Sequence, residues 1–365
     1  MKDCAVVLRP EIQRGQRIIA VSDIHGNLPF FQGLMEKIGL QTEDVLILVG
    51  DILEKGRDSL ALLRHLMELS TVHTVYPICG NCDGLVLRFF ESDALDEKFF
   101  AHYLPKHPES TIRQMADEIS YPDWRDFSGL REALRQQFPD IWAWLKSMPT
   151  IVETEHCVFV HGGVPSLSNM EQLDRWHCMK NDNFRSQGHT FEKYVVVGHW
   201  PVTLYHSDIQ SSAPIFDWKE KIISIDGGCV LKADGQLNAL MLNYGDVGSF
   251  SWVSYDGLPV YRALDTQMDS PFPLNIRWGR SELELLQSGE ELSLCRHKET
   301  GRTISILNAY LRNSDGKLWC EDSTDYLLPV QAGDRLSLVA QTKQGYLMKK
   351  NGVTGWYHGR ITPDQ

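Results

Sequence analysis

Residues 1–260 read as an α/β domain built on parallel strands, and residues 261–365 as an all-β region. Three observations carry this reading. Over the first 80 residues, apolar strand-like runs alternate with amphipathic stretches of helical length, the βαβαβ rhythm of parallel strands with helices packed on the sheet. Between about 150 and 243 strand character dominates, and beyond about 260 nothing supports a helix longer than a turn or two. A chain of 365 residues accommodates two or three domains with cores of their own.

In order, the elements are a strand at 17–23 (RIIAVSD), a helix at 28–39, a strand at 45–51 (VLILVGD), a helix at 58–70 and a strand at 72–81 (VHTVYPICGN). Each strand ends in a polar loop, and in open α/β sheets ligands sit outside the carboxyl ends of the strands. From about 84 to 148 the chain is helical and polar, broken by Pro105, Pro108, Pro122 and Pro139, with Trp124, Trp142 and Trp144 as packing anchors; this is an inserted helical layer. Strands resume at 150–163 (TIVETEHCVFVHGG), 194–201 (YVVVGHWP), 221–228 (KIISIDGG) and 237–243 (LNALMLN). In the tail, 270–315 and 320–361 read as two small barrels, with Asn351-Gly352 marking a type I′ hairpin. Tyr346, Trp356 and Tyr357 are expected in its core, since a small barrel needs its large apolar side chains there.

Lys and Arg number 36 against 48 Asp and Glu, a net charge of −12, which disfavours a nucleic-acid polymer or an anionic membrane as partner. The opening MKDCAVVLRPEIQRG lacks a secretory apolar run, and no stretch approaches the roughly 18–20 apolar residues of a spanning helix, so the expected location is cytoplasmic. Eight scattered cysteines are then expected as free, mostly buried thiols. Cys79-x-x-Cys82 lacks the second pair that a structural zinc site would need.

Five short motifs fall at strand ends: Asp23-Ile24-His25-Gly26-Asn27, Gly50-Asp51, Gly80-Asn81, His161-Gly162-Gly163 and Gly198-His199. Each alone is common turn chemistry. Together they offer two aspartates, an asparagine and three histidines, a donor mixture suited to Mn, Fe, Zn or similar divalent ions.

The order D-x-H, G-D-x-x-x-x-G, G-N-x-[DE], H-G-G, G-H resembles the calcineurin-like metallophosphoesterases. SDIHGN, GDILEKGRDS at 50–59 and WLKSMPTIVETEHCVFVHGGVPS at 144–166 are most similar to the phosphoprotein phosphatase branch and its diadenosine tetraphosphatase relatives. The resemblance covers about residues 17–245 and implies a four-layer α/β/β/α sandwich. It implies one ion held by Asp23, His25 and a bridging Asp51, and another by Asp51, Asn81, His161 and His199. The two ions, Mn or Fe first with Zn also fitting, would activate water for in-line attack on phosphorus. Where the family has GNH[DE], this chain has Gly80-Asn81-Cys82-Asp83, so Cys82 stands in the place of the histidine that protonates the leaving oxygen. Glu54-Lys55 replaces Asp-Arg. Cys82, Glu54 and Asp83 are thus the expected catalytic residues, with Lys55 and Arg57 on phosphate and one of Arg175, Lys180 or Arg185 as a second clamp. The last strands of the tail are similar to bacterial SH3-like domains, which makes a peptide its candidate ligand.

The substrate first expected is phosphoserine or phosphothreonine in protein. The alternative is a dinucleoside polyphosphate or cyclic nucleotide, and a further alternative is a non-catalytic interaction protein acting through the tail.

Overall fold

The computed structural model describes residues 3–91 and 96–364, which form two compact units. The first comprises Met1–Trp200, Pro214–Leu231 and Leu237–Tyr255; the second comprises Pro201–Ala213, Lys232–Gln236 and Asp256–Gln365.

In the first unit a short β1 (Val7–Leu8) precedes β2 (Arg17–Val21), α1 (Leu28–Ile38), β3 (Val45–Val49), α2 (Ser59–Leu69) and β4 (Thr74–Ile78). β2, β3 and β4 pair in parallel, with the two helices as crossovers. α1 opens at Asn27, whose side-chain oxygen accepts from the Phe30 N–H at 3.2 Å, and closes on Gly39 in the left-handed conformation. The helical layer follows as α3 (Asn81–Glu91), α4 (Glu97–Tyr103), α5 (Thr111–Glu118), α6 (Phe127–Gln137) and α7 (Pro139–Ser147). Trp124, Trp142 and Trp144 pack half-buried against its core, as anchors should.

Next come β5 (Ile151–Glu153), β6 (Cys157–Val160), α8 (Arg175–Met179), β7 (Tyr194–Val197), β8 (Gln210–Ser211), β9 (Ile215–Asp217), β10 (Ile222–Ser224), β11 (Leu237–Asn243) and β12 (Asp246–Tyr255). Two sheets result, ordered β12-β11-β2-β3-β4 and β1-β5-β6-β7-β10-β9. Strand alternation divides the core into layers. Ile19, Val21, Leu46 and Leu48 join the helices α1 and α2. Ile18, Ala20, Val45 and Ile47 meet Phe159, Val196 and Ile223 between the sheets. Val158, Val160, Val195 and Ile222 pack against Met170, Cys178, Phe184 and Phe191 on the far side. Three apolar seams separate four layers, the α/β/β/α sandwich, whose outer layer beyond the second sheet is thin and made of α8 and short turns.

The second unit is all β. Its strands are β8, which belongs here and not to the first unit, and β13 (Val260–Ala263), β14 (Asn275–Ile276), β15 (Glu282–Gln287), β16 (Leu292–His297), β17 (Thr303–Leu307), β18 (Leu311–Ser314), β19 (Lys317–Cys320), β20 (Ser323–Thr324), β21 (Arg335–Thr342), β22 (Gly345–Lys350), β23 (Val353–Tyr357) and β24 (Ile361–Pro363). They sort differently from the division at 315–320. One sheet runs β17-β16-β15-β19-β18, entirely within 282–320, and is nested in the chain between strands of the other, which runs β24-β13-β21-β22-β23-β8. Asn351 and Gly352, at φ of 51° and 80°, turn the β22–β23 hairpin. Tyr357 is fully buried, while Tyr346 and Trp356 are half-buried, with the Trp356 indole N–H donating to the Thr324 carbonyl at 3.0 Å.

A buried polar network explains why segments well upstream of residue 256 belong here. The Asp234 Oδ2 accepts from Gln210 Nε2 at 2.8 Å and Thr354 Oγ1 at 2.6 Å, and Lys349 Nζ donates to the Asp234 carbonyl at 2.6 Å. Among the described residues, no helix is long and apolar enough to cross a membrane.

Candidate metal centre

Five parallel-strand ends, three from one sheet and two from the other, deliver the motif residues. Asp23 and His25 follow β2, Asp51 follows β3, Asn81 follows β4, His161 follows β6 and His199 follows β7. The loops after β2 and β3 run side by side: Asp23 N–H donates to the Gly50 carbonyl at 3.0 Å, His25 N–H to Asp51 at 3.0 Å and Gly26 N–H to Ile52 at 2.8 Å. Asp23, His25, Asp51 and His199 all adopt positive φ (54°, 50°, 47° and 66°), a conformation costly for residues with a Cβ and concentrated here at the strand ends. Gly80 allows a close approach, since a Cβ there would lie 2.2 Å from the Asp51 backbone nitrogen.

Asp51 is the hub. Its Oδ1 accepts from the Cys82 N–H at 2.8 Å and lies 3.2 Å from His161 Nε2, and its Oδ2 lies 4.0 Å from His25 Nε2. His161 directs Nδ1 to the Val49 carbonyl at 2.9 Å and His25 directs Nδ1 to the Leu53 carbonyl at 3.4 Å. With the N–H on Nδ1, each ring turns Nε2 inward, where its lone pair can ligate a cation once Nε2 carries no proton. His199 is oriented the other way, with Nε2 at 2.8 Å from Asp182 Oδ1, which leaves Nδ1 as its ligand atom. Asp23 Oδ2 accepts from the His199 N–H at 3.0 Å, while Oδ1 stands 3.8 Å from His25 Nε2.

Two tight groups result, His25–Asp51–Cys82 and Asp51–His161–His199, each with ligand atoms within 4.8 Å of one another. Metal ions fit this set. Asn81 Oδ1 is buried without a hydrogen-bond partner among the described residues, at a cost of about 1–3 kcal/mol, which coordination would remove. Burial, then the Asp226 carboxylate, then Asp51 hold Asp23 well above the usual carboxylate range. Burial draws His161 down, but Asp51 and Asp23 outweigh it and lift it to about 10. Buried carboxylates crowded in this way are the environment that a bound cation neutralises.

The calcineurin-like phosphoesterase family matches residues 16–228, more than half of the chain. The chain belongs to that family. Asymmetrical bis(5'-nucleosyl)-tetraphosphatase PrpE of Oceanobacillus iheyensis is 29% identical over 91 residues, covering 22% of this chain and 36% of that protein. The chain therefore spans about a third of the length of this curated relative. Among solved structures, one described as a candidate diadenosine tetraphosphatase shares 20% identity over 69% of this chain and 98% of its own, with a TM-score of 0.45. A protein serine/threonine phosphatase from Saccharomyces cerevisiae, with similarity to human phosphatase PP5, shares 12% over 70% of this chain and 84% of its own, with a TM-score of 0.42.

Calcineurin-like phosphoesterases use divalent metal ions, and the other expected residues sort around the candidate ligands as follows. Glu54 is fully buried and its charge is felt at Cys82; Oε2 accepts from Tyr103 Oη at 2.6 Å, and Oε1 from the Thr111 N–H at 2.8 Å and Ser110 Oγ at 3.2 Å. Asp83, also fully buried and pushed up to about 7 by burial and Asp51, accepts from the backbone N–H groups of Ile52, Leu53 and Gly80, so it fixes the two loops that carry Asp51 and Asn81. Burial and Asp51 push the Cys82 thiol well above its usual value. Lys55 is half-buried with its charge felt at His25 and Cys82, whereas Arg57 is exposed and forms no ion pair among the described residues.

Of the three second-clamp candidates, Arg185 pairs with Asp217 at 3.2 Å and Arg175 lies beside Cys79. Lys180 meets Asp182 Oδ1 at 3.1 Å, the same oxygen that holds His199. Motif reading missed Asp182 and Asp226. Asp226 lies two residues beyond β10 in KIISIDGG, and its place after another strand is the signal that points to it; Asp182 carries no such signal. Among the described residues no disulfide forms, and seven of the eight cysteines are buried.

Proposed function

We propose that this protein hydrolyses phosphate esters at a dinuclear metal centre, with Asp23, His25 and Asp51 on one ion and Asp51, Asn81, His161 and His199 on the other. The convergence of ligand atoms on Asp51, with Asn81 Oδ1 unpartnered among the described residues, carries this reading. When bound, the ions supply an activated water and positive charge for the phosphoryl oxygens. The chain's own contribution is placement. Asp51 offers one oxygen to each side, the carbonyls of Val49 and Leu53 hold two imidazoles in the ligating tautomer, and Asp182 holds the third. Lys55 and Lys180 are the cations assigned to the phosphoryl group, each a point charge rather than a bidentate fork. Arg57 is assigned to the outer part of a larger substrate.

The motif set assigns phosphoserine or phosphothreonine in protein as substrate. A dinucleoside polyphosphate is the second reading, favoured by the curated relative named as a bis(5'-nucleosyl)-tetraphosphatase. Hydrolysis of an aryl phosphate, a phosphoserine peptide and a dinucleoside tetraphosphate by the metal-reconstituted full chain tests both. A phosphopeptide kcat/KM at least about tenfold above that for the dinucleotide supports the first reading and the reverse supports the second. No hydrolysis of any of the three by protein carrying two metal equivalents overturns the enzyme reading.

A further inference from the structure

The set around Asp51 includes one group of different chemistry. The sulfur of Cys82 lies with ligand atoms of His25 and Asp51 inside a 4.8 Å cluster, and all three residues are buried. Its position is fixed from two sides. The Cys82 N–H donates to Asp51 Oδ1 at 2.8 Å, which holds the sulfur beside the bridging carboxylate, and Asn81 Nδ2 donates to the sulfur at 3.4 Å. The Asn81 Oδ1, the other end of the same amide, has no partner among the described residues. His25 contributes an Nε2 lone pair, its Nδ1 being turned to Leu53.

We propose that Cys82 coordinates the first metal ion through its sulfur, beside His25 and Asp51, so that the centre has a mixed oxygen, nitrogen and sulfur donor set. This rests on the metal-centre reading above. On coordination the S–H bond breaks, the electron pair stays on sulfur to form the metal–sulfur bond, and the proton passes to solvent. Thiolate is a soft ligand, so the first site should favour Zn, Co or Fe over Mn or Mg by more than an all-oxygen and imidazole set does.

The test uses the full chain reconstituted with Co(II), with bound cobalt counted by elemental analysis and the near-ultraviolet spectrum recorded for the parent, Cys82→Ser, Cys82→Ala and Cys79→Ala proteins. The expected result is a thiolate-to-Co(II) charge-transfer band in the parent and in Cys79→Ala, absent from both Cys82 variants. The Zn-over-Mn preference of the first site should fall by about ten- to a hundredfold in Cys82→Ser. Two cobalt ions bound without the band, or a band that survives in Cys82→Ala, overturns the proposal and leaves the metal centre standing. No cobalt bound by the folded parent overturns both. Should Cys82→Ala fail to fold, Cys82→Ser, which keeps the volume and a hydrogen-bonding group, carries the same comparison.

Discussion

Asp51 touches both halves of the site, and Asn in its place keeps the shape and the acceptor for the Cys82 N–H while removing the charge. Asp51→Asn is therefore expected to retain fewer than two metal equivalents and to lose aryl phosphate hydrolysis by at least about a hundredfold, measured alongside thermal unfolding to show an intact fold. A folded variant with full metal content would remove the bridging role. Asp182 acts one step further out, through His199 Nε2. Asp182→Ala should weaken the second ion by about ten- to a hundredfold in a chelator competition, and Asp182→Glu should recover part of it. Its pairing with Lys180 is solvent-exposed and of little energetic weight, so Lys180→Ala is expected to leave metal affinity nearly unchanged.

At the scale of elements, the loop between β3 and α2 is the joint between metal centre and helical layer. Glu54 and Lys55 both sit at positive φ, and the Glu54 side chain reaches the end of α4 and the start of α5. Tyr103→Phe removes the 2.6 Å bond and leaves a buried carboxylate short of one donor. The expected cost is about 1–3 kcal/mol of stability, read from denaturant unfolding of the metal-free protein. An unchanged midpoint would mean that Ser110 and Thr111 suffice. Much of this unit was legible in advance because its signals are local: RIIAVSD and VLILVGD announce apolar strands, and the ligands follow them directly in sequence. The partners of Glu54 were not legible, since Tyr103 and Thr111 lie 49 and 57 residues away and neither carries a motif. Asp182 was hidden too, since nothing local in the sequence marks it as the partner of His199, 17 residues on.

On the scale of the whole molecule, the sequence boundary near 260 lies close to Asp256, where the last segment of the second unit begins, but that unit also takes 201–213 and 232–236 from upstream. Ending the chain at Tyr255 deletes no proposed metal ligand, yet it strips β8 of β23 and Asp234 of Thr354 and Lys349. The truncated protein is expected to bind metal but to aggregate at lower temperature than the full chain, by light scattering during a thermal ramp. Equal behaviour of the two would show that the upstream segments need no partner. The same threading sets an order on biosynthesis. Asp234 waits 120 residues for Thr354 to leave the ribosome, while the five-stranded sheet at 282–320 emerges whole in between. Every ligand through His199 is already synthesised by then, so the strand ends that gather the metal can assemble first. Closure of the second unit, which depends on pairings this distant in sequence, should be the last and slowest event of folding.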